Sequence, residues 1–98
     1  MEVIKNLNDK ELTLVVKGDL NSGTAPELEE VIKTSLNDIE SLIFDFSELN
    51  YISSAGLRIL LVAKKTMDKQ GKMVVRNPNN SVMDVFEITG FKNVIDFE

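Results

Sequence analysis

Two adjacent serines, Ser53 and Ser54, stand where a strand-like run gives way to a helix-like one, in the segment Tyr51-Ile52-Ser53-Ser54-Ala55-Gly56-Leu57-Arg58. A helix N-terminus presents free backbone N–H groups and partial positive charge. A serine there can cap the helix, carry a phosphate or face a partner closely. One serine is enough for a cap, which stabilises by about 1 kcal/mol. If Ser53 caps, its oxygen accepts from the N–H of Ala55 or Gly56, and Ser54 enters the first turn with its hydroxyl free. Gly56 stands out, since glycine in a helix costs about 1 kcal/mol relative to alanine. It is expected to give clearance for another backbone or a partner surface. Arg58 follows Ser54 by one helical turn, where a cation can approach a phosphate or simply face solvent.

Two other places invite chemistry. The loop Gly18-Asp19-Leu20-Asn21-Ser22-Gly23-Thr24 carries two glycines at the separation of a phosphate-binding loop. However, Thr24 occupies the position that motif gives to lysine, and Ala25 the position it gives to serine or threonine. It reads as an ordinary strand-to-helix turn. Asp45, with Glu48 after it, lies near the end of a strand, where carboxylates in α/β sheets can hold a metal or act as a base. Without a partner at a defined spacing, Asp45 is expected to bond loop amides instead.

Composition narrows the rest. The chain has no Cys and no His. That removes disulfides, thiolate nucleophiles, Cys/His zinc sites and any histidine base from its own repertoire. No metal or cofactor is expected. A net charge of −5, with Lys64-Lys65 as the one adjacent basic pair, makes a poor match to nucleic-acid phosphates. The longest apolar run, Ile59 to Ala63, is too short to span a bilayer, so no membrane insertion is expected. The N-terminal residues do not read as a signal peptide, and a cytoplasmic location is expected. An apolar fraction of 43% over 98 residues suits one domain, residues 1–98, with a real core.

The elements that must position the serines follow from periodicity. Val3 to Leu7 and Leu12 to Lys17 read as strands joined by a short turn, hence an antiparallel hairpin. Leu12, Leu14 and Val16 share one face. Thr24 is a candidate cap for a helix over Ala25 to Leu36, with Pro26 early and Leu28, Val31, Ile32 and Leu36 as its apolar stripe. Leu42 to Phe46 reads as a strand buried on both faces. A second helix is expected from Ala55 to Gln70, stopped by Gly71, then a strand from Met73 to Arg76. Asn77-Pro78-Asn79-Asn80 is a turn, with Ser81 as candidate cap of a helix marked by Val82, Val85, Phe86 and Thr89 and ended by Gly90. Val94 to Phe97 is a candidate last strand. Strands alternating with helices imply parallel pairing after the first hairpin. The fold expected is a small α/β domain with a mixed sheet and three main helices.

Two of these segments resemble a STAS domain, specifically the stand-alone bacterial anti-sigma-factor antagonists. Val15 to Asn21, followed by Thr24-Ala25-Pro26-Glu27-Leu28, is similar to that family's strand, G-[E/D]-L-D loop and first helix. Asp45-Phe46-Ser47 with Tyr51 to Leu57 is similar to its D-[L/F]-S … [F/Y]-[M/I/V]-D-S-[S/T/A]-G-L signature. The resemblance implies that Ser54 is phosphorylated by a partner anti-sigma factor that is itself a serine kinase. It implies that the unmodified form binds that partner and frees a sigma factor, and that a serine phosphatase restores the phosphorylated form. The partner surface would comprise Asp19, Asn21, Ser22, Thr24, Ser53, Ser54, Ala55, Gly56 and Arg58, with Ser53 as second candidate acceptor. The chain would then be a switch and not an enzyme. Two positions depart from the pattern: Ser53 replaces the usual Asp before the acceptor, and Asn21 replaces the second acidic loop residue. Such departures suit an alternative, a STAS module that interacts without phosphorylation, for example as accessory subunit of a lipid or anion transporter.

Overall fold

The strand Glu11–Leu20 (β2) organises the sheet, because three other strands pair with it. The computed structural model describes all 98 residues. Glu2–Asn8 (β1) runs antiparallel to β2, with Ile4 opposite Val15 and Asn8 opposite Glu11. Asp9, in the two-residue turn, takes a left-handed φ of 56°, which Asp tolerates better than most residues. On β2, Leu12, Leu14 and Val16 are buried while Thr13, Val15 and Lys17 are half-buried. That is the alternation of a strand with one face on the core.

The helix Ala25–Ser35 (α1) leads to Ser41–Asp45 (β3), which lies parallel beside β2. Lys72–Arg76 (β5) and the two-residue strand Asp96–Phe97 (β6) extend the parallel pairing. The sheet order is β1-β2-β3-β5-β6, as parallel crossovers require. The helices Ser54–Asp68 (α2) and Asn80–Thr89 (α3) supply Leu57, Leu60, Ala63, Met67, Val82 and Phe86 to one continuous core. Every buried side chain is apolar, so the core carries no polar group that burial would penalise.

One element differs from the sequence expectation. Leu49–Ile52 forms a short strand (β4), so the chain does not pass directly from β3 into α2. Its burial runs buried, exposed, exposed, buried, which matches neither a period of two nor a continuous apolar run. β4 lies parallel to the last residues of β2, with Gly18 opposite Leu49 and Leu20 opposite Ile52. The register shifts between Gly18 and Asp19. Gly18 has φ +95°, a conformation open to glycine at little cost. The irregularity turns the end of β2 from β3 towards β4.

Three local expectations are corrected. Asn79, not Ser81, caps α3: its Oδ1 accepts from the Val82 N–H at 2.8 Å. Thr24 precedes α1 but makes no side-chain cap bond. Gly71 stands two residues past Lys69, the C-cap of α2, without a left-handed φ, so packing and not the helix end requires glycine there. A Cβ there would lie 1.9 Å from the Glu40 carbonyl oxygen, which accepts from the Lys72 N–H at 3.0 Å.

Candidate functional site

β4 delivers the serines. The Ser53 N–H donates to the Leu20 carbonyl at 2.9 Å, extending the β2–β4 pairing by one bond. Ser53 stays extended (φ −101°, ψ 176°), and its Oγ accepts from the Gly56 N–H at 3.4 Å. Its carbonyl accepts from the Leu57 N–H at 3.0 Å, the first bond of α2. Ser53 is therefore the N-cap, half-buried and engaged. Ser54 is the first residue of α2; it is exposed, and its hydroxyl bonds to nothing else in the chain. The two serines thus divide as capping chemistry requires.

Gly56 is a correction. It is buried, and a Cβ there would lie 2.7 Å from Leu20 Cγ and 2.9 Å from Ile52 Cγ1. The space that glycine leaves is filled by this chain's own β2 and β4. Gly56 gives clearance to the end of β2 and not to a partner.

The loop after β2 is held by its own side chains. Asn21 Oδ1 accepts from the Gly23 N–H at 2.9 Å and the Thr24 N–H at 3.1 Å. Thr24 Oγ1 accepts from the Asn21 N–H at 2.9 Å and donates to the Asp19 carbonyl at 2.7 Å. The Ala25 N–H donates to the Asn21 carbonyl at 2.7 Å. Asn21 therefore closes an Asx turn, a task that needs only a side-chain oxygen. Two amides that a phosphate-binding loop would offer a ligand are taken by Asn21 itself. Asp19 and Ser22 are exposed. Asp19 stands opposite Tyr51 of β4, so loop and junction form one surface at one end of the sheet.

Ala55 is half-buried, and Arg58 is exposed without an ion pair in the chain. Asp45 accepts from the Ser47 N–H at 3.0 Å, as expected of a loop-bonding carboxylate. Glu48 pairs with Lys17 at 3.5 Å. The one concavity, lined by Lys10, Asp38, Ile39, Glu40 and Gln70, lies at the other end of β2. No helix is long and apolar enough to cross a membrane.

Sequence reasoning missed one residue that builds the site. Asn79 Nδ2 donates to the Leu49 carbonyl at 3.0 Å while its Oδ1 caps α3. One side chain thus ties α3 to β4. Asparagine just after Pro78 was a cap signal in the sequence, but nothing local to it marks the donor role.

These features define a small mixed α/β domain that presents a helix N-terminus and a neighbouring loop as one surface. The family described as the STAS domain matches residues 1–98, and the chain belongs to that family. It is 36% identical over 96 residues to BtrV of Bordetella bronchiseptica, covering 96% of this chain and 83% of that protein, which is named as an anti-sigma factor antagonist. It is 26% identical over 97 residues to the anti-sigma-B factor antagonist of Listeria monocytogenes, covering 97% of this chain and 85% of that one. Its fold matches SpoIIAA in the unphosphorylated form with a TM-score of 0.86 at 17% identity, over 99% of this chain and 88% of that one. The phosphorylated form of Bacillus SpoIIAA matches with a TM-score of 0.77 at 16% identity, over 99% and 91%.

Proposed function

We propose that this chain is an anti-sigma-factor antagonist switched by phosphorylation at Ser54. Unmodified, it binds an anti-sigma factor that is also a serine kinase, and a sigma factor is released. Phosphorylated, it no longer binds, and a serine phosphatase returns it to the binding form. The names carried by its relatives support the class. The observation that carries the site is the division of labour at the junction: Ser53 is engaged as cap, while Ser54 is exposed with a free hydroxyl.

The physics of the switch lies at the interface and not in the fold. A phosphate adds about −1.5 to −2 charge at neutral pH. At the N-terminus of α2 the free N–H groups and the dipole favour that charge. A dianion facing a closely apposed partner surface costs binding through like-charge repulsion and the penalty of desolvating the phosphate. Asn21 and Ser53 hold the loop and the cap without charge, so a phosphate on Ser54 adds negative charge to a surface whose loop otherwise carries the exposed Asp19.

Affinity capture from native extract, followed by mass spectrometry of the Ser53–Ser54 peptide, tests the reading. A serine kinase should be recovered with the unphosphorylated chain, and Ser54→Asp should not recover it. The neutral residues at positions 21 and 53 favour the second reading, a STAS module that interacts without phosphorylation. Co-purification with a membrane transporter, and no phosphate on either serine, would select it.

A further inference from the structure

The outward face of α2 carries charge that the Ser54 switch does not use. Starting from Ser54, steps of four, four, three and four residues reach Arg58, Val62, Lys65 and Lys69, the C-cap. All five are exposed. That spacing sets them in one line along the helix, opposite the buried Gly56, Leu60, Ala63 and Met67. At 1.5 Å per residue the line is about 22 Å long.

The ion pairs of the chain engage Lys10, Lys17, Lys64, Arg76 and Lys92. None engages Arg58, Lys65 or Lys69. Asp68, the carboxylate nearest the line on α2, is held by Lys64. A chain of net charge −5 therefore keeps three unpaired cations in register on one face, with Val62, 37% exposed, between them. Such a stripe is a local positive potential that steers an oppositely charged surface.

We propose that Arg58, Val62, Lys65 and Lys69 form a docking stripe for an acidic surface of the same protein partner that reads Ser54. This rests on the Proposed function for the partner's identity and adds the chemistry of its face. Carboxylates would meet the three cations, and a small apolar contact would cover Val62. A protein surface fits better than a nucleic acid or an anionic bilayer. Both of those present extended negative charge, and this chain's excess acidity would repel them beyond the stripe.

The stripe also gives the switch a mechanism. Helical side chains lean towards the N-terminus, so Arg58 covers the surface beside Ser54. A phosphate on Ser54 engages Arg58 and places negative charge at the head of the stripe. The partner's acidic face then loses one cation and meets a repulsive group together.

The test measures association of the purified anti-sigma factor, recovered as described above, with wild type, Lys65→Glu/Lys69→Glu and Lys65→Gln/Lys69→Gln at low and high salt. Both lysines are exposed and unpaired, and thermal denaturation checks that each variant stays folded. The charge reversal should slow association about tenfold and flatten its salt dependence, with the neutral pair in between. Unchanged association in the reversal variant, while Ser54→Asp abolishes binding, overturns the stripe and leaves the Ser54 reading standing. Unchanged association in the reversal variant and in Ser54→Asp overturns both. Phosphatidylglycerol vesicles and a DNA duplex serve as further probes. Binding of either that depends on Lys65 and Lys69, with normal anti-sigma-factor association, also overturns the assignment.

Discussion

Replacing Gly56 by alanine sets two terms against each other. Alanine gains about 1 kcal/mol in helix propensity over glycine. The added methyl, however, would stand 2.7 Å from Leu20 Cγ, 2.9 Å from Ile52 Cγ1 and 3.0 Å from Leu20 Cδ2. Two of these atoms lie at or near side-chain branch points, and Leu20 and Ile52 are 0% and 1% exposed. Neither can swing into solvent, so overpacking costs about 1–3 kcal/mol. The net expectation is a loss of about 1 kcal/mol, or about 4–8 °C in Tm for a domain of this size. The clash pushes on the end of β2, whose Leu20 carbonyl holds the Ser53 N–H, so exchange of that amide should speed up. Urea denaturation and amide hydrogen exchange measure both. In a Leu20→Ala background the major obstacle is gone, and the same glycine substitution should cost at least about 1 kcal/mol less. A Gly56→Ala protein at least as stable as wild type, with no dependence on residue 20, would refute the packing argument.

Other substitutions separate the remaining roles. Ser53→Ala should cost about 0.5–1 kcal/mol in chemical denaturation, the low end for a cap, because its bond to Gly56 is long at 3.4 Å. Asn21→Asp should leave Tm nearly unchanged, since only Oδ1 is used in the turn and a carboxylate accepts equally well. Gly71→Ala should destabilise by about 3 kcal/mol, because the methyl meets the Glu40 backbone and not a movable side chain.

Much of this fold was legible because its pattern is strong. The β1–β2 hairpin and the alternation of Leu12, Leu14 and Val16 follow from a period of two. The helices begin and end within about two residues of where apolar spacing, Pro26 and Gly90 place them. β4 was not legible, since four residues with only the outer two buried carry no periodic signal. Its existence depends on the turn of β2 at Gly18, a tertiary event. The anomaly of Gly56 could be read from the sequence, but its cause could not. The crowding comes from Ile52, just before α2, and from Leu20, far away in the chain, which only the fold brings to Gly56. Asn79 was hidden for the same reason, since its second bond goes to Leu49 on another element. At the site itself, capping logic implied that one serine caps and the other is free, and the structure makes Ser53 the cap, because α2 begins at Ser54 and the Ser53 Oγ accepts from the Gly56 N–H.

In the proposed switch, modification of Ser54 acts on binding and not on folding. This is tested most directly by comparing Ser54→Asp with wild type in two measurements on the same preparations: affinity for the anti-sigma factor and thermal stability. An acidic residue in the first turn of α2 should hold or raise stability, by about 0.3–1 kcal/mol. Binding should be lost while Tm is unchanged or higher. Retained affinity, or binding lost together with a large fall in Tm, would contradict it.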